Sequence, residues 1–133
     1  MIRRAVVDNA HITLWVDPQR KLIHHQMHRA CYGEVFRAAL SAGVQAMQGA
    51  GATKWLSDDR LNGALSPEDE EWAKSVWFPA TLKAGWKHWA LVAPASVVGQ
   101  MNMRRFTQTY AALGVTVRVF TDPGPAEEWL ASV

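Results

Sequence analysis

Two kinds of hydrophobic periodicity alternate along this chain, and their order restricts the fold to an α/β sheet. Apolar and polar residues alternate at residues 11–16, and a turn at Asp17 and Pro18 leads into a second strand predicted at residues 21–26. Residues 29–48 instead repeat apolar side chains at three- and four-residue steps, which predicts a helix. Strand and helix patterns then alternate to the end of the chain.

The later elements continue this alternation. The order ββαβαβαβα, with a further strand near residues 5–7, predicts a single domain over residues 1–133. We expect a mixed β-sheet with an initial antiparallel hairpin, later parallel strands and right-handed crossover helices. Strands are predicted at residues 52–57, 88–93 and 115–119, and helices are predicted to begin at Ser66, at Ser96 and after Asp122.

The helix that begins at Ser66 has the most complete N-terminal pattern. Ser66 can cap the helix, Pro67 suits the first helical position, and four acidic residues follow at the positive end of the helix dipole. We expect Val76 to lie on the buried face of this helix. Pro79 is expected to interrupt the segment that follows. Ser96 is expected to cap a helix that runs to about residue 112.

Composition and charge exclude several functional classes. The net charge is only +2 and the basic residues are scattered, which argues against nucleic-acid binding. No apolar run is long enough for a membrane span, and the N-terminal residues do not form a signal peptide. The single cysteine, Cys31, excludes an intrachain disulfide and favours a reducing cytoplasm. It is expected, with Val35, on the buried stripe of the helix at residues 29–48, which opposes a reactive thiol.

Seven tryptophans are unusual for a chain of this length. They predict an indole-rich core, which could extend into an oligomer interface, or a pocket for an apolar ligand such as a lipid. The tryptophans are Trp15, Trp55, Trp72, Trp77, Trp86, Trp89 and Trp129.

The candidate site is a polar loop at residues 58–63, after the first crossover strand. Ligands of open α/β sheets bind beyond the carboxyl ends of the parallel strands, where the start of the helix at Ser96 should also lie. Arg60 is the expected polar anchor, because its guanidinium can bind a carboxylate or phosphate bidentately. The alternative is a surface ion pair between Arg60 and one of the two aspartates. The predicted ligand-binding residues are Asp58, Asp59, Arg60, Asn62 and Ser96.

Little in the sequence supports metal binding, nucleophilic catalysis or the binding of a phosphate or dinucleotide. His24, His25 and His28 resemble metal-ligand spacing only loosely, and adjacent strand residues point to opposite faces. The sequence also has no nucleophile elbow and no glycine-rich phosphate or dinucleotide loop. We therefore predict no metal and no cofactor.

Element order and length resemble the STAS-like group, which includes bacterial anti-sigma-factor antagonists and SpoIIAA-like proteins. The resemblance rests on residues 54–60 (KWLSDDR), 72–79 and 85–89 (GWKHW) within that layout. It implies a STAS-like fold and a non-catalytic binding or regulatory module. In the antagonists a serine after this strand is phosphorylated within an Asp-Ser-Ser-Gly stretch. This chain has Ser57-Asp58-Asp59-Arg60 there, so the phosphorylation motif is missing.

Three functions are therefore expected from the sequence. The first is a small non-catalytic module that binds a polar or anionic ligand or a protein partner. The second is a small enzyme that uses Asp58 or Asp59 with a nearby histidine as acid and base. The third is an apolar-ligand or lipid binder with a tryptophan-lined pocket. The tryptophans and an exposed edge strand also predict a two-fold homodimer.

Overall fold

The computed structural model describes residues 3–62 and 65–133, so Gly63 of the predicted polar loop and Met1 and Ile2 lie outside the described residues. The strands are β1 (Arg4–Asp8), β2 (Ile12–Asp17), β3 (Leu22–Met27), β4 (Lys54–Asp58), β5 (His88–Val92) and β6 (Thr116–Phe120). The helices are α1 (Gly33–Ala50), α2 (Pro67–Trp72), α3 (Phe78–Lys83), α4 (Ala95–Val98), α5 (Met103–Ala111) and α6 (Pro123–Ala131), with a π-helical turn (Ala73–Trp77) between α2 and α3.

The six strands form one mixed sheet in the order β1-β2-β3-β4-β5-β6. Strands β1, β2 and β3 pair antiparallel, and β3 to β6 pair parallel. The predicted α/β class is therefore confirmed. In the hairpin between β2 and β3, Asp17 Oδ1 accepts the Arg20 N–H at 3.2 Å, and Lys21 adopts a positive φ of 56°.

The two faces of the sheet have separate cores, because successive residues of a strand point to opposite faces. On β4, Trp55 joins the larger core under α1, the α2–α3 segment and α5, whereas Leu56 joins the smaller core under α6. Strand β5 shows the same division between Trp89 and Ala90. None of the helices in the described part of the chain is both long and apolar enough to cross a membrane.

Helix α1 begins four residues later than expected. The prediction of a helix from residue 29 was wrong, because tertiary hydrogen bonds hold the segment before α1, in which Tyr32 is extended. The Cys31 N–H donates to Asn62 Oδ1 at 2.9 Å, and the Gly33 N–H donates to Asp69 Oδ2 at 2.9 Å. Cys31 is buried as predicted, although it precedes the helix. Val35 is not on the buried face: 39% of it is exposed.

The Ser66 cap is confirmed, since its Oγ accepts the Asp69 N–H at 3.2 Å. Pro79 does not interrupt this segment, contrary to the prediction. The preceding turn is π-helical, and we attribute its wider path to Pro79, which lacks an N–H and would clash in a regular α-helix interior. Trp77 is buried, whereas Val76, predicted to be buried, is 49% exposed.

Ser96 does not cap a helix, and the predicted helix to residue 112 is divided into two. The first part, α4, has only four residues, begins after Pro94 and has no side-chain cap. The second part, α5, begins after Asn102, whose Oδ1 accepts the Arg105 N–H at 3.1 Å. Asn102 thus provides a local helix start that the sequence analysis overlooked.

Candidate functional site

Asp58 and Asp59 are adjacent in sequence, but their side chains lie in different environments and have different partners. Asp58 ends β4, is almost fully buried, and accepts two hydrogen bonds from Arg60, from Nε at 2.9 Å and from Nη2 at 2.8 Å. Asp59 instead accepts a hydrogen bond from His25 and faces a cavity under the larger helical layer. The predicted loop is therefore divided between two sites.

Arg60 already has a carboxylate partner within the chain. The bidentate contact with Asp58 is the geometry in which guanidinium–carboxylate pairs are strongest. The hydrogen bond to Asp58 raises the pKa of Arg60, against a smaller opposite effect of burial. Arg60 does not line the cavity that Asp59 faces. This arrangement corresponds to the ion-pair alternative considered above.

Asp59 belongs to a chain of hydrogen bonds that ends in the core. The Trp55 indole N–H donates to Nδ1 of His25 at 2.9 Å, and Nε2 of His25 lies 2.7 Å from Oδ1 of Asp59. An indole nitrogen can only donate, so Nδ1 accepts and the proton of the neutral imidazole is on Nε2, where it is donated to Asp59. Only 4% of the His25 side chain is exposed, against 31% for Asp59. The buried imidazole thus holds a partly exposed carboxylate in one orientation.

The cavity beside Asp59 has a volume of about 400 Å³. This volume falls in the range of about 300–1,000 Å³ that is typical of small-molecule sites. Strands β3, β4 and β5 form its floor, and α1, the α2–α3 segment and α5 form its walls. Six aromatic side chains line it: Phe36, Trp77, Phe78, Trp89, Phe106 and Tyr110.

Polar groups of the cavity are concentrated near the ends of the central strands. Ser57, the register partner of His25, lines the cavity, and its Oγ accepts the Trp89 indole N–H at 2.9 Å. Asn62 lines the same region while its Oδ1 accepts the Cys31 N–H. The cavity therefore has an apolar aromatic body and a polar end around Asp59.

Three further side chains of the cavity wall contribute no net charge: Tyr110 is neutral, and the charges of Glu70 and Lys74 cancel. Burial raises the pKa of Tyr110 to about 12, so its hydroxyl is neutral at physiological pH. Glu70 and Lys74 form an i,i+4 ion pair at 3.3 Å with both side chains mostly exposed. Neither feature adds net charge to the cavity.

Two buried indole groups lack partners among the described residues. Trp55 and Trp89 donate to His25 and Ser57, but Nε1 of Trp77 and Nε1 of Trp86 have no hydrogen-bond partner there. Their rings pack against each other, with centroids 5.2 Å apart.

The other sequence candidates lie elsewhere. Ser96 is exposed and does not line the cavity. His24 packs against Trp15 with the rings tilted and receives a hydrogen bond from Arg3, and His28 contacts Thr13 at 2.6 Å. Across residues 3–62 and 65–133, no three histidine, cysteine, aspartate or glutamate side chains converge on a metal position.

Cys31 has the environment of an unreactive thiol. Burial raises its pKa, with a further contribution from the negative charges of Asp69 and Asp59. A thiol that stays protonated and buried is a poor nucleophile. The structure therefore agrees with a structural role for this residue.

Sequence reasoning missed the most informative contact of the site, between His25 and Asp59. It also did not identify Ser57 and the six lining rings as one group. One pattern pointed in the right direction: alternation on β3 places His25 on the face of Ile23, the face that carries the larger core. The pairing with Asp59 additionally requires the parallel register of β3 and β4.

Comparisons of the chain with protein-family models, with curated proteins and with solved structures find no match. The resemblance to the STAS-like group therefore stays a hypothesis based on element order, chain length and the stretches at residues 54–60, 72–79 and 85–89.

Proposed function

We propose that this protein binds a small, largely apolar ligand in the aromatic cavity, with Asp59 at the polar end. The observation that carries the proposal is the 400 Å³ cavity at the carboxyl ends of the parallel strands. Apolar lining with a few placed polar groups is typical of ligand sites, and this edge of an open sheet is where such sites lie. This proposal joins the ligand-binding module and the apolar-ligand binder that the sequence suggested, in a protein we expect in the cytoplasm.

A cavity-filling variant tests the proposal. Ala73 is buried, lies in the π-helical turn and lines the cavity, so Ala73→Phe places a ring in the ligand space. Val76→Phe is the matched control, because Val76 lies in the same turn but is exposed and outside the lining. The probe is phenylnaphthylamine, a neutral apolar dye whose emission increases and shifts to the blue in apolar sites.

We expect the wild type and Val76→Phe to bind the dye with one site per chain and Ala73→Phe to lose most of this binding. Circular dichroism of both variants verifies the fold. If Ala73→Phe is folded and binds the dye as the wild type does, the cavity is not the binding site.

An enzyme that uses Asp59 is the second candidate, and the contact between His25 and Asp59 favours it. A carboxylate held by a buried imidazole beside a cavity is a geometry suited to proton abstraction from a bound ligand, with His25 as the positioning residue. Mass spectrometry of a metabolite extract incubated with the wild type or with Asp59→Asn tests this candidate. A compound consumed only by the wild type would support catalysis, whereas unchanged pools would leave binding as the function.

We also propose a two-fold homodimer, as the sequence suggested. Strands β1 and β6 are the edges of the sheet, and an exposed edge favours pairing or covering. Light scattering at roughly tens of micromolar, where an interface of ordinary size associates, tests this proposal. A monomeric mass would contradict it.

A further inference from the structure

The cavity lining carries a negative charge that its neighbours do not cancel. Three formally charged side chains line it: Asp59, Glu70 and Lys74. Glu70 and Lys74 pair with each other at 3.3 Å. The partner of Asp59 is His25, whose neutral imidazole donates a hydrogen bond without supplying a positive charge. The formal charge of the lining is therefore −1, and it is localised on Asp59.

Asp59 also keeps capacity for further hydrogen bonds. A carboxylate offers about four acceptor positions on its two oxygens, and His25 occupies one of them, on Oδ1. Because 31% of the Asp59 side chain is exposed, the carboxylate is accessible from the cavity side. A ligand ammonium group donates up to three hydrogen bonds and adds charge, which makes each bond roughly twice as strong as a neutral one.

The aromatic lining reinforces this preference. The faces of aromatic rings carry partial negative charge and attract organic cations, with tryptophan the strongest. Two tryptophans, Trp77 and Trp89, are among the six lining rings. Their centroids lie 6.3 Å apart with an interplanar angle of 68°, so the two indoles form one aromatic wall of the cavity. An anionic ligand would face both these rings and the Asp59 carboxylate.

We propose that the ligand of this cavity is an organic cation, a primary or substituted amine on an apolar body, whose ammonium group pairs with Asp59 while the body packs among the six rings. This inference rests on the proposed ligand-binding function and specifies its ligand class. It replaces the small polar or anionic ligand expected from Arg60, because that guanidinium is paired with Asp58 and lies outside the cavity lining.

Three probes with one apolar body and different charges test the inference: phenylbutylamine, phenylbutanol and phenylbutyrate. Their binding is measured by calorimetry and by quenching of the protein's tryptophan fluorescence. We expect the amine to bind at least tenfold more tightly than the alcohol, which corresponds to about 1.4 kcal/mol, and the carboxylate to bind most weakly.

Asp59→Asn should remove the advantage of the amine and leave the affinity for the alcohol within about twofold of the wild type, roughly 0.4 kcal/mol. Asp122→Asn is the matched control, since it changes the net charge equally but is exposed and outside the lining. If Asp59→Asn does not fold, Glu70→Gln and the three probes on the wild type still decide the question. The Glu70 variant should retain the preference, because Asp59 carries it.

The outcomes distinguish the inference from the proposed function. If the alcohol or the carboxylate binds the wild type as tightly as the amine, the cation inference is overturned and the cavity stays a ligand site. If the preference for the amine survives Asp59→Asn, the inference is overturned as well. If none of the three probes and no dye binds, the proposed function itself is overturned.

Discussion

Nε2 of His25 lies 2.7 Å from Oδ1 of Asp59, although the two residues are 34 positions apart in the sequence. The parallel register of β3 and β4 places His25 opposite Ser57, two residues before Asp59. A backbone hydrogen bond of 2.9 Å from the Asp59 N–H to the carbonyl of Val92 holds Asp59 against β5. The contact is therefore a product of three neighbouring strands.

His25→Phe should destabilise the fold through Trp55. The buried Trp55 N–H would lose its acceptor, and an unsatisfied buried donor costs about 1–3 kcal/mol. Urea unfolding at neutral pH, followed by tryptophan fluorescence, measures the change in the free energy of unfolding. His11→Phe is the control, because His11 is half-buried and its ring hydrogen-bonds the Ala30 carbonyl rather than a side chain of the core. Equal stability of His25→Phe and the wild type would show that this hydrogen-bond chain contributes nothing.

Acid should destabilise the protein through His24. Burial, with the positive charge of Arg3, lowers the pKa of His24 to about 4, against 6.5 in an unfolded chain, while Asp58 acts in the opposite direction. Between these pH values the unfolded state takes up a proton that the folded state does not. The contribution of His24 to the free energy of unfolding is therefore fully present above about pH 6.5. It is lost as the pH falls towards 4, by about 3 kcal/mol in total.

His24→Gln removes this titration, so its free energy of unfolding should change less between about pH 7 and pH 4.5 than that of the wild type. The comparison between variants is needed because burial and Lys54 also lower the pKa of His88, which contributes with the same sign. His11→Gln serves as the histidine control. A pH dependence of His24→Gln as steep as that of the wild type would assign the effect to other groups.

Gly43→Ala should destabilise the larger core. Gly43 lies on α1 against the ring of fully buried Trp55, and an added Cβ would overlap that ring and approach Leu14 Cδ1 to 3.0 Å. Overpacking of this kind costs about 1–3 kcal/mol. Gly49 lies on the same helix with open space around it, so Gly49→Ala should be neutral or stabilising by up to about 1 kcal/mol. Thermal unfolding of the two variants measures the difference, and equal melting temperatures would contradict the close contact.

The variant Arg60→Ala distinguishes ligand binding in the aromatic cavity from ligand binding at the predicted loop site. If the ligand binds in the cavity, the variant keeps its affinity and loses stability, because the buried Asp58 carboxylate loses both hydrogen bonds. If Arg60 anchors the ligand, the melting temperature stays unchanged and affinity falls at least tenfold, about 1.4 kcal/mol. Calorimetry with the best-binding probe and a melting curve decide between the two, with exposed Arg104→Ala as the control.

The sequence by itself determined the elements of this protein, because periodicity and capping act over a few neighbouring residues. The strand β2 and the Ser66 cap were predicted from local patterns and are present. Local patterns failed where distant groups compete with them. Asn62 and Asp69 take the hydrogen bonds of the segment before α1, and Asn102 starts a helix that had been assigned to Ser96.

Only the tertiary structure decided how the polar loop is used. Asp58 and Asp59 have the same charge and adjacent positions, so nothing local distinguishes them. Successive residues at the end of β4 point to opposite faces of the sheet, so Asp58 meets Arg60 while Asp59 reaches His25 and the cavity. The lining rings come from α1, the α2–α3 segment, β5 and α5, which meet only when parallel strands stack their crossover helices on one face of the sheet.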